Sequence, residues 1–276
     1  MIIPIMKIEL SKANERIDFK THLIYTERLL ELSNGLSIKC QIKPLLKKNK
    51  LDDIKSKSHL VELTKKSLED EYHIVDIDKD YSLASVLWLP MKAYYLLYHL
   101  LSVIDYILTG KKASLSISHE GCSNAFSERL KSGDIKFSKK KFNEVFTKDI
   151  LKFKSKSGEH LKKSATDDVI YSLIMKKMGN YKKDNYKLKA GLNLQTKKGR
   201  EKVNKYLTNK FNVSIFDFFC LMRIKSSYRD FNFIDDMPAI DTKKYFKEYY
   251  IVSDNFYKCF NNLKNKLITD ISIDSN

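Results

Sequence analysis

An apolar segment at residues 83–108 constrains the fold of this chain more than any other feature of the sequence. As a helix it would extend about 40 Å, and its apolar side chains occupy most faces, so other helices must surround it. Lys92, His99 and Asp105 interrupt the segment. Placing these groups in lipid would cost several kcal/mol. We therefore expect a buried core helix and no membrane span.

The rest of the chain also favours helices. Its 276 residues include 8 glycines and 4 prolines, whereas all-β folds use many of both in their turns. The pattern predicts further helices at about 12–32, 51–71, 116–131, 139–154 and 214–230. A last helix from Thr242 is predicted by apolar residues at every third or fourth position, namely Tyr245, Tyr249, Val252, Phe256, Phe260, Leu263 and Leu267. We predict an all-α fold, a multi-helix bundle with a long buried central helix, as one domain over residues 1–276.

Positive charge is concentrated in the middle third of the chain. Residues 131–210 contain 23 Lys and Arg against 8 Asp and Glu, whereas the rest contains 28 against 26. A codon bias toward lysine would act on the whole chain and does not explain such a block. Because lysine and arginine neutralise phosphates and release bound counterions, we interpret this basic region as a nucleic-acid contact. A solvated surface, an acidic protein partner and an anionic membrane surface are the alternatives.

The basic region contains clusters of cations with tyrosines between them. We predict nucleic-acid binding by Lys139, Lys140, Lys141, Lys182, Lys183, Lys197, Lys198 and Arg200. The interleaved rings are Tyr171, Tyr181, Tyr186 and Tyr206. Tyrosine rings can stack on unpaired bases, so their presence adds to the nucleic-acid interpretation.

Arginine is rare in this chain, with 6 residues against 45 lysines, and two arginines lie within residues 223–230. If that segment is helical, Arg223, Ser227 and Asp230 share a face, with Tyr228 beside it. Arg223 could then hold a phosphate while Tyr228 positions or donates a proton. A buried Arg–Asp pair at a helix end explains the same residues equally well.

Two histidines differ in their surroundings. His119 lies in a polar stretch and is the better candidate for acid–base chemistry. His99 lies on the apolar helix, where a histidine is more often a satisfied core residue, so we interpret it as structural.

No sequence pattern indicates a cofactor or a metal. The chain has no Walker A loop, GxGxxG, HExxH or GxSxG, and its four cysteines lack metal-ligand spacing. We expect no cofactor, no metal ligands, and free thiols of the kind found in a reducing cytosol. The N-terminal MIIPIMKIEL lacks the basic region and cleavage site of a signal peptide, so we expect a cytoplasmic protein.

Three segments together resemble the HEPN-type helical proteins of bacterial toxin–antitoxin and phage-defence loci. They are residues 88–99 (WLPMKAYYLLYH), Ser118-His119-Glu120, and residues 223–234, within a similarity spanning about residues 80–260. The resemblance implies a helical bundle that dimerises and often acts as a metal-independent ribonuclease. In that family an Arg and a His, four to six residues apart on a late helix, converge across the dimer and help the ribose 2′-OH attack the adjacent phosphate.

This sequence departs from the family pattern at the histidine. Five residues after Arg223 stands Tyr228, whose hydroxyl, with a pKa near 10, is a poorer base at neutral pH. The predicted catalytic residues are Arg223, Tyr228, Asp230 and His119.

The leading hypothesis is a HEPN-like protein of bacterial defence that binds nucleic acid, RNA in preference to DNA, and acts as an endoribonuclease if it is catalytic. The alternative is a non-catalytic helical subunit of a larger assembly, docking through its basic region onto nucleic acid or an acidic protein. The expected partners are nucleic acid and a second copy of the chain or a larger complex, without a membrane. A cleft that holds Arg223 with His119 or His22 would favour the enzyme, and a large exposed apolar face without such a cleft would favour the subunit.

Overall fold

A computed structural model describes residues 19–74, 79–154, 166–228 and 242–273 of the chain. Within these ranges the chain forms eight α-helices and one two-stranded sheet, which confirms the all-α fold class. The helices are α1 Phe19–Ser33, α2 Lys55–Ile74, α3 Lys79–Thr109, α4 His119–Ser132, α5 Asp167–Lys189, α6 Lys197–Asn209, α7 Ile215–Tyr228 and α8 Thr242–Ile273. Short 3-10 helices occupy Lys48–Ile54, Lys112–Ser116, Lys140–Asn143 and Lys148–Lys152.

Helix α3 is the central helix, packed against α2, α7 and α8. Between Leu89 and Leu108 most of its side chains are buried, while Trp88 is 55% exposed. The prediction of a long buried central helix is therefore confirmed. Across the described ranges, every helix is too short or too polar to span a membrane.

Helix α8 covers α3 and α1 with the apolar face that the sequence predicts. Each of its seven predicted face residues is at most 3% exposed. Phe256 and Phe260 stack edge-on against Phe137 and Phe126, which lie across the interior from α8. Spacing of apolar residues at three and four positions was enough to locate this face, because the helical period brings them onto one side.

The predicted helix at 139–154 is wrong. This stretch contains two 3-10 helices, and Asn143 explains why the first one stops. The Asn143 side chain accepts a hydrogen bond from Phe137 N at 2.7 Å and donates one to Phe137 O at 2.9 Å. A short amide side chain that bonds to backbone in this way competes with helix formation.

A small sheet joins two distant parts of the chain. Strand β1, Ile38–Cys40, pairs antiparallel with β2, Ile135–Phe137, so that Cys40 faces Ile135. Each strand has three residues, too few to show the alternation by which a strand is recognised in sequence. The sheet thus ties the start of the basic region to the segment that follows α1.

Candidate functional site

The fold brings His119 and Arg223 together although 104 residues separate them in sequence. Arg223 Nη1 lies 3.5 Å from His119 Nε2, at the long limit of a hydrogen bond. His119 is the first residue of α4, Arg223 lies within α7, and both side chains are partly exposed. Tyr228 is the last residue of α7, and Asp230 lies outside the described residues. Two of the four predicted catalytic residues therefore meet.

The backbone at His119 is fixed by a helix cap. Ser118 precedes α4, and its hydroxyl oxygen accepts a hydrogen bond from Gly121 N at 3.1 Å. A Cβ atom on Gly121 would lie 2.8 Å from Ile117 Cγ1, so only glycine fits this turn without movement of its neighbour. The cap and the glycine together hold His119 at the start of the helix, where its side chain can point toward α7.

The two helices that carry the pair are joined by the carboxylate of Asp217. This carboxylate accepts hydrogen bonds from the backbone N of Ser214, at 2.9 Å, and from the Ser123 hydroxyl of α4, at 2.7 Å. Lys182 of α5 donates a third bond at 2.9 Å. Because Asp217 is buried, these bonds fix the start of α7 against α4 and α5. Asp217, in the first turn of α7, thus joins three helices through one carboxylate.

The contacts on the two ring nitrogens of His119 indicate which nitrogen carries the proton. Its hydroxyl oxygen lies 2.7 Å from His119 Nδ1. Arginine has only donors, so His119 Nε2 must accept in its contact with Arg223. The neutral imidazole therefore carries its proton on Nδ1, which donates to Tyr94, and leaves the Nε2 lone pair on the side of Arg223.

The Arg223 guanidinium lies against two tyrosine rings of α3. Its central carbon is 4.8 Å from the ring centroid of Tyr94 and 5.7 Å from that of Tyr95. Its Nη1 also donates to the Tyr95 hydroxyl at 3.3 Å. Rings at this distance attract a cation and restrict its movement. The planar guanidinium is thereby held beside His119 in one orientation.

Burial lowers the pKa of His119 below its ordinary value, and the positive charges of Arg223 and Lys189 lower it further. The imidazole is therefore neutral at pH 7, with an available lone pair on Nε2. A neutral imidazole can take a proton from a nearby hydroxyl, and the adjacent guanidinium can bind an anion. The arrangement thus places a base next to an anion-binding group.

The cluster continues along α3 to His99 and a second cation. The His99 ring stacks on Tyr95 with centroids 6.0 Å apart, and Lys57 Nζ of α2 lies 3.4 Å from His99 Nδ1. Burial, followed by Lys57 and His119, lowers the pKa of His99 to about 4. Burial also lowers the pKa of Lys57. His99, which we interpreted as structural, is thus part of the same cluster.

Five of the predicted nucleic-acid-binding residues are exposed. Lys139 and Lys140 lie at the start of a 3-10 helix, and Lys197 and Lys198 form the first turn of α6. Arg200 is exposed as well, but its Nη1 also donates to the carbonyl oxygens of Leu194 and Gln195 at 3.1 and 2.8 Å. These five side chains can reach a phosphate in solution.

The other three predicted binding residues have partners within the protein. Lys182 is 11% exposed and is bound to Asp217, as described above. Lys141 bonds to Asp168 at 2.7 Å and to Glu144 at 3.0 Å. Lys183 donates to Asn180 at 3.3 Å. Their charges are therefore less available to an external anion than those of the five exposed residues.

The tyrosines of the basic region contribute mainly to the core. Tyr171 and Tyr206 are buried, so the prediction that these two rings stack on bases is wrong. Tyr186 stacks on Tyr206 with centroids 3.8 Å apart and planes nearly parallel. Tyr181 is partly buried against the core. In these lysine-rich helices the tyrosines lie on the face that packs against the core, and the lysines lie on the face toward solvent.

Comparison with known proteins found no matching family model, no similar curated sequence and no similar solved structure. The resemblance to HEPN proteins therefore stays a prediction, and the fold defines the class of the chain as an all-α helical bundle. In the portion that the structure describes, no group of three or more His, Cys, Asp or Glu side chains is arranged to hold a metal ion. The four cysteines are free thiols.

Sequence reasoning missed most of the side chains around His119 and Arg223. The additional members of the cluster are Lys57, Tyr94, Tyr95, Tyr98 and His99. The sequence YYLLYH at residues 94–99 could have indicated the cluster, because tyrosine hydroxyls and an imidazole recur there within an otherwise apolar helix. Lys57 gave no such signal, because it comes from a different helix.

Proposed function

We propose that this chain binds RNA and cleaves it at the His119–Arg223 cluster. The observation that carries this proposal is the 3.5 Å distance between Arg223 Nη1 and His119 Nε2. An arginine fork binds phosphate oxygens, and a neutral imidazole beside it can act on a hydroxyl of the same nucleotide. The exposed cations Lys139, Lys197 and Lys198 would hold the flanking strand.

The reaction that these groups support is internal transfer of the phosphate within RNA. His119 Nε2 accepts the proton of a ribose 2′-OH, and the 2′-oxygen attacks the adjacent phosphorus. The bond between phosphorus and the 5′-oxygen breaks, and that oxygen takes up a proton from solvent. Arg223 stabilises the negative charge on the phosphate in the transition state. The products are a 2′,3′-cyclic phosphate and a 5′-hydroxyl.

The HEPN resemblance supports the same chemistry with one change. In that family the histidine follows the arginine on one helix, whereas this chain has Tyr228 at that spacing. His119 of α4 supplies an imidazole beside Arg223 from a different helix. We propose on this basis a HEPN-like endoribonuclease of bacterial defence that acts without a metal ion.

The direct test is cleavage of a labelled single-stranded RNA by the purified chain in EDTA. We expect His119→Gln and Arg223→Gln each to lower the rate by roughly 10²–10⁴-fold. His59→Gln, at an exposed histidine of α2, and Arg28→Gln, at an arginine paired with Glu31, are the matched controls. The same strand with 2′-O-methyl riboses must resist cleavage, because the attacking hydroxyl is blocked. Cleavage that survives in both site variants would exclude this site.

Mixing the two site variants asks whether one chain contains the whole site. Arg223 and His119 of the same chain are in contact, so each variant chain lacks one essential group. We expect the mixture to remain inactive. Activity that returns on mixing would mean that a second chain supplies one of the two groups, as the family resemblance implies.

The same purified proteins and labelled RNA also test the alternative of a non-catalytic subunit. The exposed lysines support binding even where no chemistry follows. RNA that binds tightly to the unmodified chain and remains intact in every condition would favour that alternative.

A further inference from the structure

Cleavage of RNA at the His119–Arg223 cluster needs an acid as well as a base, because the departing 5′-oxygen has to gain a proton as its bond to phosphorus breaks. Solvent can supply that proton, but a side chain held beside the phosphate supplies it faster, typically by ~10²–10⁴-fold. Such an acid has to lie close to the guanidinium that binds the phosphate, and it has to carry a proton at neutral pH. The hydroxyl of Tyr95 meets both requirements.

The Tyr95 hydroxyl and the His119 imidazole contact the same nitrogen of Arg223. Tyr95 Oη lies 3.3 Å from Arg223 Nη1, and His119 Nε2 lies 3.5 Å from it. Because arginine has only donors, the Tyr95 oxygen accepts in this contact and keeps its own proton. All three side chains are partly exposed, so a strand can approach them from solvent. A phosphate bound at Arg223 would therefore lie close to both a base and a proton donor.

The proton of the Tyr95 hydroxyl is available to a ligand. Within the described ranges this hydroxyl accepts one hydrogen bond and donates none. The neighbouring tyrosines differ from it in this respect. Tyr98 donates its proton to the carbonyl oxygen of Ile117. Tyr94 is completely buried, with its hydroxyl against His119 Nδ1. Tyr95 is thus the tyrosine of the cluster that combines exposure with an unused proton.

The Tyr95 ring is held by the imidazoles next to it. His99 stacks on it with centroids 6.0 Å apart, and the His119 ring meets it edge-on at 5.8 Å. The guanidinium carbon of Arg223 lies 5.7 Å from the ring centroid. A positive charge beside the hydroxyl stabilises the phenolate that forms when the proton leaves. The hydroxyl is therefore both fixed in position and placed where its loss of a proton is favoured.

We propose that Tyr95 is the general acid of this reaction in place of solvent, an inference that rests on the cleavage proposed above. As the bond between phosphorus and the 5′-oxygen breaks, the Tyr95 hydroxyl gives its proton to that oxygen and becomes a phenolate beside Arg223. His119, which has taken the proton of the 2′-OH, is then an imidazolium. Transfer of that proton through solvent to Tyr95 restores both side chains, so the site ends each turnover with the protons it began with.

Two labelled strands that differ in one atom test this assignment. Both consist of 2′-O-methyl nucleotides with a single ribose, so each has one linkage that can be cleaved. The atom that leaves phosphorus is a 5′-oxygen in one strand and a 5′-sulfur in the other. A thiolate is a much weaker base than an alkoxide, so it leaves without first gaining a proton. Rates are measured with the protein in excess over the strand, which separates the chemical step from product release.

Tyr95→Phe removes the hydroxyl and keeps the ring. We expect it to slow cleavage of the oxygen strand by about 10²-fold or more. The sulfur strand should be cleaved at nearly the rate of the unmodified chain, which also shows that the variant is folded. His119→Gln should slow both strands, because the 2′-OH needs a base in each. Tyr257→Phe, at a partly exposed tyrosine of α8, is the control and should slow neither.

Three results would overturn the assignment of Tyr95. Equal slowing of both strands by Tyr95→Phe would mean that this side chain only orients Arg223. An unchanged rate on the oxygen strand would mean that solvent or another group supplies the proton. In both cases the unmodified chain is active, so the cleavage proposal stands. If the unmodified chain cleaves neither strand, the cleavage proposal itself fails and the acid role fails with it.

Discussion

The Tyr94 hydroxyl lies 2.7 Å from His119 Nδ1, the ring nitrogen that faces away from Arg223. Tyr94 is completely buried, and its ring packs against Phe216 and Tyr98 with centroids 5.6 and 5.8 Å away. The hydroxyl is therefore held in place by the core rather than by the surface. Because Arg223 can only donate to Nε2, the proton lies on Nδ1, where the Tyr94 hydroxyl is its fixed acceptor, and Nε2 is left as the base.

Substitution Tyr94→Phe should lower the rate of RNA cleavage about fivefold, since one hydrogen bond is worth about 1 kcal/mol. The effect should appear in kcat and leave KM unchanged, because Tyr94 acts through His119 and not on the substrate. Nitrogen NMR of His119 should show a smaller fraction of the tautomer protonated on Nδ1. Tyr249→Phe is a matched control, because Tyr249 is also buried and its hydroxyl has no partner within the described ranges. Equal kcat and an equal tautomer fraction for Tyr94→Phe and the unmodified chain would contradict a positioning role.

The charge of Arg223 should appear in the pH profile of cleavage. Arg223 lowers the pKa of His119, after burial, so the acid limb of the profile should lie below pH 6.5. Arg223→Gln removes the positive charge, and the limb should then move toward higher pH in addition to the loss of rate. Arg223→Lys keeps the charge, and its limb should stay near that of the unmodified chain. A limb that is the same in all three proteins would mean that another group titrates.

The exposed lysines should determine how RNA affinity depends on salt. Each phosphate contact with a single strand contributes about 0.7 to the slope of log K against log salt concentration. Replacing Lys139, Lys140, Lys197 and Lys198 with Gln should therefore weaken binding and reduce the slope by up to about 2.8 if all four contact phosphates. The measurement is fluorescence anisotropy of a labelled strand over a series of salt concentrations, with Lys266→Gln as control. A slope that does not change would assign another role to these side chains.

The fold could be predicted from sequence where one helix face supplies the pattern. In α8 the seven predicted apolar residues are all buried, and the apolar segment at 83–108 lies within the central helix α3. The prediction of an α-helix at 139–154 is wrong because the Asn143 side chain bonds to the backbone of Phe137 and ends the first 3-10 helix. Periodicity contains no information on such a contact between a side chain and a neighbouring strand.

The candidate site could be predicted only in part, because its members lie on four helices. The rarity of arginine in this chain indicated Arg223 as a candidate site residue, and the polar stretch around His119 indicated His119. Their contact could not be predicted, because it depends on how α4 packs against α7. The basic region shows the same limit. Lys182 and Lys198 are indistinguishable in a charge count, yet one is bound to Asp217 and the other is exposed.

That difference predicts opposite effects on stability. Lys182→Ala should cost about 3–5 kcal/mol in the free energy of unfolding, because it leaves the buried carboxylate of Asp217 without its cation. Lys198→Ala, at the exposed position, should change it by less than about 0.5 kcal/mol. Urea unfolding curves, fitted with one shared dependence of unfolding free energy on urea concentration, measure the stability of both variants. Similar midpoints for the two variants would show that the Lys182–Asp217 pair contributes little to the fold.

His99 should make the fold sensitive to acid. Its folded-state pKa is lowered to about 4, by burial first and then by Lys57 and His119, whereas the unfolded chain has the ordinary value near 6.5. As pH falls from 6.5 to 4, the unfolded chain takes up a proton at this position and the folded chain does not, so stability is lost across that window. His119, whose pKa is also lowered, adds to the loss with the same sign. We expect the Tm of the unmodified chain to fall over this range and His99→Gln to show a smaller fall, because glutamine does not titrate. His59→Gln should keep the full dependence, since His59 is exposed on α2, and a His99→Gln curve parallel to that of the unmodified chain would contradict the prediction.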